Sequence, residues 1–378
     1  MWFVQIESPV MLILNLLTEQ ALDVGTILNL VFLILFFIFI VWGQRIQMMV
    51  ILRDIEFAIG RLKLMKDSAR NAVVERMKKF SSSDPSGFVD KVIEYVTIEP
   101  VSLDPSGIVW KYDYLLKTSE DRIKSEVYSF ASQAKEEEKS NLLNVLEVLA
   151  NLNLLYKLMR HYYIMGKKTG SAFIIIQLQA ILPEVLMNAD ALMGALFAFS
   201  YGHPVGDGVG ALVAAKLIGN KANEVKEVAR DTIYVETTLE NRKLGIIKAR
   251  GPGGTVGYPG DAVMSLLEQE KYDLVVMVDA GLKLEGEKSG SVVEGVGAAI
   301  GGIGTEKYKI EEVVSKKGIP LYGVIVRMSM KEAITPMTEE LYKASEQVIN
   351  RIKELIKEKV PEGGSMLLIG VGNTIGIR

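Results

Sequence analysis

A run of 19 residues, Val24–Trp42 (VGTILNLVFLILFFIFIVW), carries no charged side chain. As a helix rising 1.5 Å per residue it reaches across roughly 28 Å, close to the hydrocarbon thickness of a bilayer. The rest of the chain is therefore read as tethered to a membrane. Glu7, Glu19 and Asp23 precede the run, whereas Arg45, Arg53, Arg61, Lys63 and Lys66 follow it. The excess of basic residues on the carboxyl side predicts a single-pass protein of the cell membrane with its N-terminus outside and its soluble domains cytoplasmic. A cleaved secretion signal fits less well, because no basic residue precedes the run and no small-x-small pattern follows Trp42. A shorter apolar piece, Val10–Leu17, is too short to span and is expected in the interface.

The chain has no cysteine, which removes disulfides, thiolate catalysis and cysteine-bound zinc. Its formal charge is −3, from 43 basic and 46 acidic side chains, so no nucleic acid is expected as a partner. Arg45–Lys79 is the local exception, with nine basic residues against four acidic ones. Ile46, Met49, Val50, Ile55, Ile59, Leu62 and Met65 recur there at helical spacing, predicting an amphipathic helix that leaves the membrane beside anionic head groups or packs on its own domain.

Ser81–Gly87 breaks that helix, and its Asp-Pro-Ser-Gly tetrad returns at Asp104–Gly107. Asp121–Tyr163 reads as wholly helical. Its stripe Leu142, Val145, Leu149, Leu152, Tyr156 and Met159 alternates by three and four, as a self-associating seam or as internal core. Ser171–Phe199 reads as a buried helical hairpin, interrupted by Pro183, Glu184, Asn188 and Asp190.

The character changes at Tyr201: 19 glycines lie between there and Gly304. Thr232–Thr237, Gly245–Lys248, Leu274–Val278, Leu321–Val326 and Met366–Ile369 read as strands, with helices at Ala211–Leu217, Ala262–Gln269, Ile310–Lys316 and Glu339–Lys359. Such alternation predicts an α/β sheet whose ligand site lies at the carboxyl ends of the strands. The expected organisation is a membrane anchor over 1–44, a basic connecting helix over 45–84, a helical domain over 85–200 and an α/β domain over 201–378.

Three glycine-rich segments stand out: Gly202–Gly210, Gly251–Gly257, and the loop that follows Val278-Asp279-Ala280-Gly281. None carries a Walker lysine or the dinucleotide fingerprint. Asp207 and Asp279 are the candidate catalytic residues, since two carboxylates at one sheet edge can share a proton and activate water, or ligate a metal. His203, one of two histidines, is a candidate third ligand, so His203, Asp207 and Asp279 form the metal set if a divalent metal is the cofactor. The plainer alternatives are a turn histidine and a helix N-cap at Asp207.

The anchor, the Asp-Pro-Ser-Gly-Ile and Gly-Asp-Gly-Val-Gly segments, and the terminal Gly-Val-Gly-Asn-Thr resemble an uncharacterised archaeal family of conserved membrane proteins. Leu367–Thr374 further resembles the first strand and loop of hydrogenase-maturation endopeptidases. Gly206–Ala214 is similar to the acidic loop and helix that follow there, in an order that implies circular permutation. Val275–Ala280 resembles the central strand of the spore germination protease. These resemblances imply a phosphorylase/hydrolase-like α/β sandwich with Asp207 and Asp279 in acidic site positions, although Gly206 stands where a second acidic residue is usual.

The leading functional expectation is a membrane-tethered noncatalytic oligomeric scaffold or ligand sensor. The alternative is a membrane-anchored hydrolase, most readily a peptidase, that uses the paired aspartates with or without a divalent metal. The expected partners are the lipid bilayer, further copies of the chain, and a small ligand or peptide.

Overall fold

A computed structural model describes residues 24–81, 83–100, 107–219, 224–302 and 304–378. Val10–Leu17 and most of the second Asp-Pro-Ser-Gly tetrad lie outside the described residues. The chain divides into two compact units, one of residues up to Ala58 together with Tyr162–Ala180, the other of Ile59–His161 together with Ile181–Arg378.

Helix α1, Val24–Lys78, runs unbroken for 55 residues. It joins the apolar run to the basic stretch as one element, because neither proline nor a turn cluster interrupts them. Its apolar segment Ile27–Phe39 is well exposed, Phe32 and Phe39 each at 73%. Four more helices follow: α2 (Ser86–Val92), α3 (Ile108–Phe130), α4 (Glu136–Thr169) and α5 (Ala172–Tyr201). Among the described residues, α4 and α5 are long and apolar enough to cross a membrane, while the apolar stretch Ile27–Phe39 is shorter. The expected single N-terminal span is thus not the clear one.

Two further expectations are corrected here. The helix predicted over Asp121–Tyr163 is two helices: α3 stops at Phe130 and α4 restarts at Glu136, where Glu136, Glu137 and Glu138 complement the positive end of the new helix dipole. The hairpin expected over Ser171–Phe199 is one continuous helix that tolerates Pro183 inside it, and Phe173, Ile176 and Met187 are exposed rather than buried. Of the two readings of the α4 stripe, burial favours internal core: Leu142, Val145 and Leu149 have no exposed surface, Leu152 has 1% and Met159 3%, while Tyr156 is half-buried.

From Val205 the chain builds a seven-stranded mixed sheet of order β1-β2-β3-β7-β4-β6-β5. The strands are β1 (Lys226–Ala229), β2 (Thr232–Leu239), β3 (Arg242–Ala249), β4 (Leu274–Leu282), β5 (Val292–Val296), β6 (Leu321–Met328) and β7 (Ser365–Gly370). The central four, β3, β7, β4 and β6, are parallel, and β7 lies between β3 and β4 with Ile246 opposite Leu368 and Val276 opposite Leu368. The outer strands β1, β2 and β5 pair antiparallel, which closes the sheet with short pieces.

The strands are apolar on both faces because helices cover both. Leu244, Ile246, Val276, Val278 and Leu368 pack under α6 (Val209–Ile218) and α10 (Glu339–Lys359). Ile247, Val275, Met277, Leu367 and Ile369 pack under α7 (Pro259–Gln269) and α8 (Thr305–Lys317). A short helix α9 (Met330–Ile334), closed by a Ser329–Glu332 capping box, leads into α10. The sequence pattern misses β1 and β5: both are short edge strands whose residues are half-buried or exposed, so they lack the apolar run that marks a central strand.

Candidate functional site

The carboxyl ends of the four parallel strands share one edge, where a sheet of this kind exposes its reactive groups. Asp279 follows Val278 on β4 and is only 7% exposed. Its Oδ1 accepts the N–H of Ala280 at 2.7 Å, and the N–H of Gly301 supports it from the glycine loop. Asp207 sits in a 3-10 turn, Gly206–Gly208, that opens α6. Its Oδ2 accepts the backbone N–H of Asn373 at 2.9 Å, 166 residues away in sequence.

Two glycines make this approach possible. A Cβ on Gly210 would lie 2.2 Å from the carbonyl oxygen of Val278, the residue before Asp279, and a Cβ on Gly372 would lie 1.9 Å from the carbonyl oxygen of Asp207. Backbone therefore meets backbone where the Gly206–Gly210, Gly370–Thr374 and β4 segments converge.

Electrostatics links the two carboxyls. Burial first, and then the charge of Asp207, push Asp279 up to about 8 against the two N–H groups that favour its ionised form. Burial also raises Asp207, with the Asn373 N–H opposing. Both carboxyls are thus pushed toward their neutral forms, and the charge of Asp207 acts on Asp279, so the two titrations are coupled. His203 is not part of this arrangement. Its ring is exposed and stacks on Phe197 at 5.5 Å, and among the described residues no group of three His, Cys, Asp or Glu side chains could hold a metal. The three-ligand set of His203, Asp207 and Asp279 is therefore not assembled.

A second buried charged cluster carries no signal in the sequence. Lys309 of α8 has no exposed surface, and its Nζ reaches Asp113 at 2.8 Å, Asp261 at 2.7 Å and Glu306 at 2.8 Å. Lys117 adds bonds to Asp113 at 3.0 Å and Asp261 at 2.7 Å, and the Gly260 N–H donates to Glu306 at 2.6 Å. Burial would raise Asp261, yet the hydrogen bonds from Lys117 and Lys309 outweigh it and hold the carboxyl below the usual range. Asp113 lies 196 residues from Lys309, so no spacing rule could have joined them.

This cluster overturns the noncatalytic scaffold. Each buried ion costs several kcal/mol of lost hydration, which apolar packing would avoid in a passive support. A convergence of buried charges such as this is what a binding or catalytic site requires, which argues against a purely noncatalytic support.

Lys248 at the end of β3 is the third buried charge, 2% exposed, with Nζ donating to the Ala249 carbonyl at 3.0 Å. Burial alone pushes it down to about 8. Between pH 8 and the ordinary lysine value the folded chain binds fewer protons than the unfolded one, so stability rises with pH in that window, and below pH 8 the full cost of the buried charge is present. Lys248→Met is expected to stabilise the protein at pH 7 by up to about 3 kcal/mol in urea unfolding and to give no gain above pH 10.5. An equal loss of stability at both pH values would contradict this account of Lys248.

Residues 29–202 match the N-terminal domain of the protein family of unknown function DUF1512, and residues 205–378 match the C-terminal domain of unknown function of the same family. The chain belongs to the DUF1512 family. No curated protein matches it. The family match gives no link to hydrogenase-maturation endopeptidases and no support for a circular permutation. The Lys309 cluster draws Asp113 from the N-terminal family domain and Asp261, Glu306 and Lys309 from the C-terminal one.

Proposed function

We propose that this chain is a membrane-associated hydrolase in which Asp207 and Asp279 act as a two-carboxylate acid–base pair, most readily on peptide bonds. The observation that carries the reading is the convergence of two acids at the carboxyl edge of the sheet, where Gly210 and Gly372 let the Asp207 turn meet the Val278–Asp279 backbone and burial pushes both carboxyls upward, the environment that suits a neutral acid working beside a carboxylate. In this reaction the ionised member takes a proton from a water molecule as its oxygen attacks the scissile carbonyl carbon. The neutral member donates its proton as the carbonyl oxygen gains charge. Collapse of the tetrahedral adduct breaks the C–N bond, and the amine leaves with a proton relayed from the pair. The water supplies one oxygen to the new carboxylate.

Exposed apolar surface on α1 and α5 supports a membrane setting, and the basic stretch Arg45–Lys79 favours anionic head groups on the cytoplasmic side. Two carboxylates alone make an incomplete protein site for a cation, and the reaction described needs only the pair and water.

The full chain in lipid vesicles, incubated with mixed unstructured peptides in ¹⁸O-water, is expected to produce new carboxyl termini bearing ¹⁸O. The yield should fall roughly tenfold per pH unit above about pH 8, as the pair loses its shared proton. Asp279→Asn should abolish the signal while a chelator leaves it intact. Loss of activity on chelation would instead assign the water to a divalent cation. Equal yields from the wild type and Asp279→Asn would remove the dyad.

A further inference from the structure

Resting on the dyad reading, we infer that Asn144 of α4 is a positioning residue for Asp207, so that a helix of the N-terminal family domain sets the state of a site in the C-terminal one. Asn144 is 9% exposed and uses its whole amide. Its Nδ2 donates to the carbonyls of Ser140 at 3.0 Å and Gly254 at 2.7 Å. Its Oδ1 accepts Nδ2 of Asn373 at 3.3 Å. Asn373, itself 8% exposed, aims its backbone N–H at Asp207 Oδ2 and accepts the Ile375 N–H on its own Oδ1 at 2.9 Å.

The chain of contacts is thus α4, Asn144, Asn373, Asp207. Gly254 is cut to fit it, since a Cβ there would lie 1.9 Å from Asn144 Nδ2. Thr374, the next residue along, ties the same loop to the carbonyls of Gly253 and Thr255, each at 3.0 Å. Both glycine-rich loops therefore depend on the one helix face.

That face is not fully satisfied. Asn141, one turn before Asn144 and 3% exposed, has a buried Oδ1 with no hydrogen-bond partner among the described residues. Such an unmet buried acceptor is destabilising, which weakens the docking of α4 on the loops. The same helix continues to Thr169, and its last turns belong to the compact unit that includes the apolar stretch of α1. A shift of α4 would break the Asn144–Asn373 contact and release the N–H that steadies Asp207, while the Leu142–Leu152 core side chains slide within apolar surroundings.

The test is an infrared titration of the full chain in lipid vesicles, following the carbonyl stretch of protonated carboxyls from acid to alkaline pH. The charge acting on Asp279 is that of Asp207, and on Asp207 the Asn373 N–H opposes burial, so the pair should give two midpoints. Asn144→Leu should raise the lower one by at least about tenfold in proton affinity, the effect of losing one hydrogen bond to a charged group, and leave the upper one in place. Asn373→Ala, a loop substitution that keeps the backbone N–H, should move the same midpoint, and the double variant should move it no further than either alone. An unmoved lower midpoint in Asn144→Leu, or additive shifts in the double variant, would overturn the positioning role. A wild type with no carboxyl titrating near pH 8 that Asp279→Asn removes would overturn the dyad itself.

Discussion

Asp279→Asn is expected to abolish hydrolysis and at the same time make the protein markedly more stable at alkaline pH. Asp279 lies well above the ordinary aspartate value in the folded chain, at about 8, so between about pH 4 and pH 8 the folded state holds a proton that the unfolded state has lost. Stability therefore falls as pH rises through that window and stays low above it. The gap corresponds to at most roughly 6 kcal/mol, of which relaxation of the loop around Gly301 recovers a part. Asparagine keeps the shape and removes the charge, so urea unfolding at pH 8.5 should show a gain of several kcal/mol that vanishes below pH 4. A variant no more stable than the wild type at pH 8.5 would contradict the burial and pairing of this carboxyl.

The Lys309 cluster should respond in the opposite sense. Lys309→Met leaves Asp113, Asp261 and Glu306 facing one another without their shared cation, each formerly within 2.8 Å of it. Breaking one side of a buried ionic group costs about 3–5 kcal/mol. The loss should be largest at neutral pH and shrink near pH 4, where the carboxyls take up protons. Lys117→Met, at a position where 31% of the side chain meets solvent, should cost less because water screens what remains. Thermal melts of the two variants across pH 4–8 check this ordering, and equal losses would remove the central place given to Lys309.

The contrast between these two sites explains what could be read from the sequence. Asp279 follows the uncharged run Leu274–Val278 within β4, and Asp207 sits among Gly206, Gly208 and Gly210, so both announce themselves as carboxylates near the rim of a sheet. β4, β6 and β7 were legible for the same reason: a strand buried on both faces is a short apolar run. β1 and β5 were not, because edge strands bury too little to leave a pattern. Neither the Lys309 cluster nor the Asn144–Asn373 contact has any local signature. Each consists of ordinary-looking polar residues on amphipathic helices or loops, joined only by tertiary folding across 196 and 229 positions. The α4 stripe was visible, yet spacing cannot distinguish a seam between copies from a core within one chain. Burial decides it.

The sharing of one proton between Asp207 and Asp279 can be tested most directly with an alkyl epoxide. Esterification requires an ionised carboxylate to open the ring and a neighbouring neutral acid to protonate the departing oxygen. The charge of Asp207 acts on Asp279, so Asp207 is the expected nucleophile and Asp279 the acid. After treatment of the full chain near pH 6, peptide mass spectrometry should find a single ester on Asp207 whose formation stops the ¹⁸O-incorporating activity and does not occur in Asp279→Asn. Labelling of Asp207 that proceeds equally well in Asp279→Asn, or no ester on either residue, would contradict the paired site.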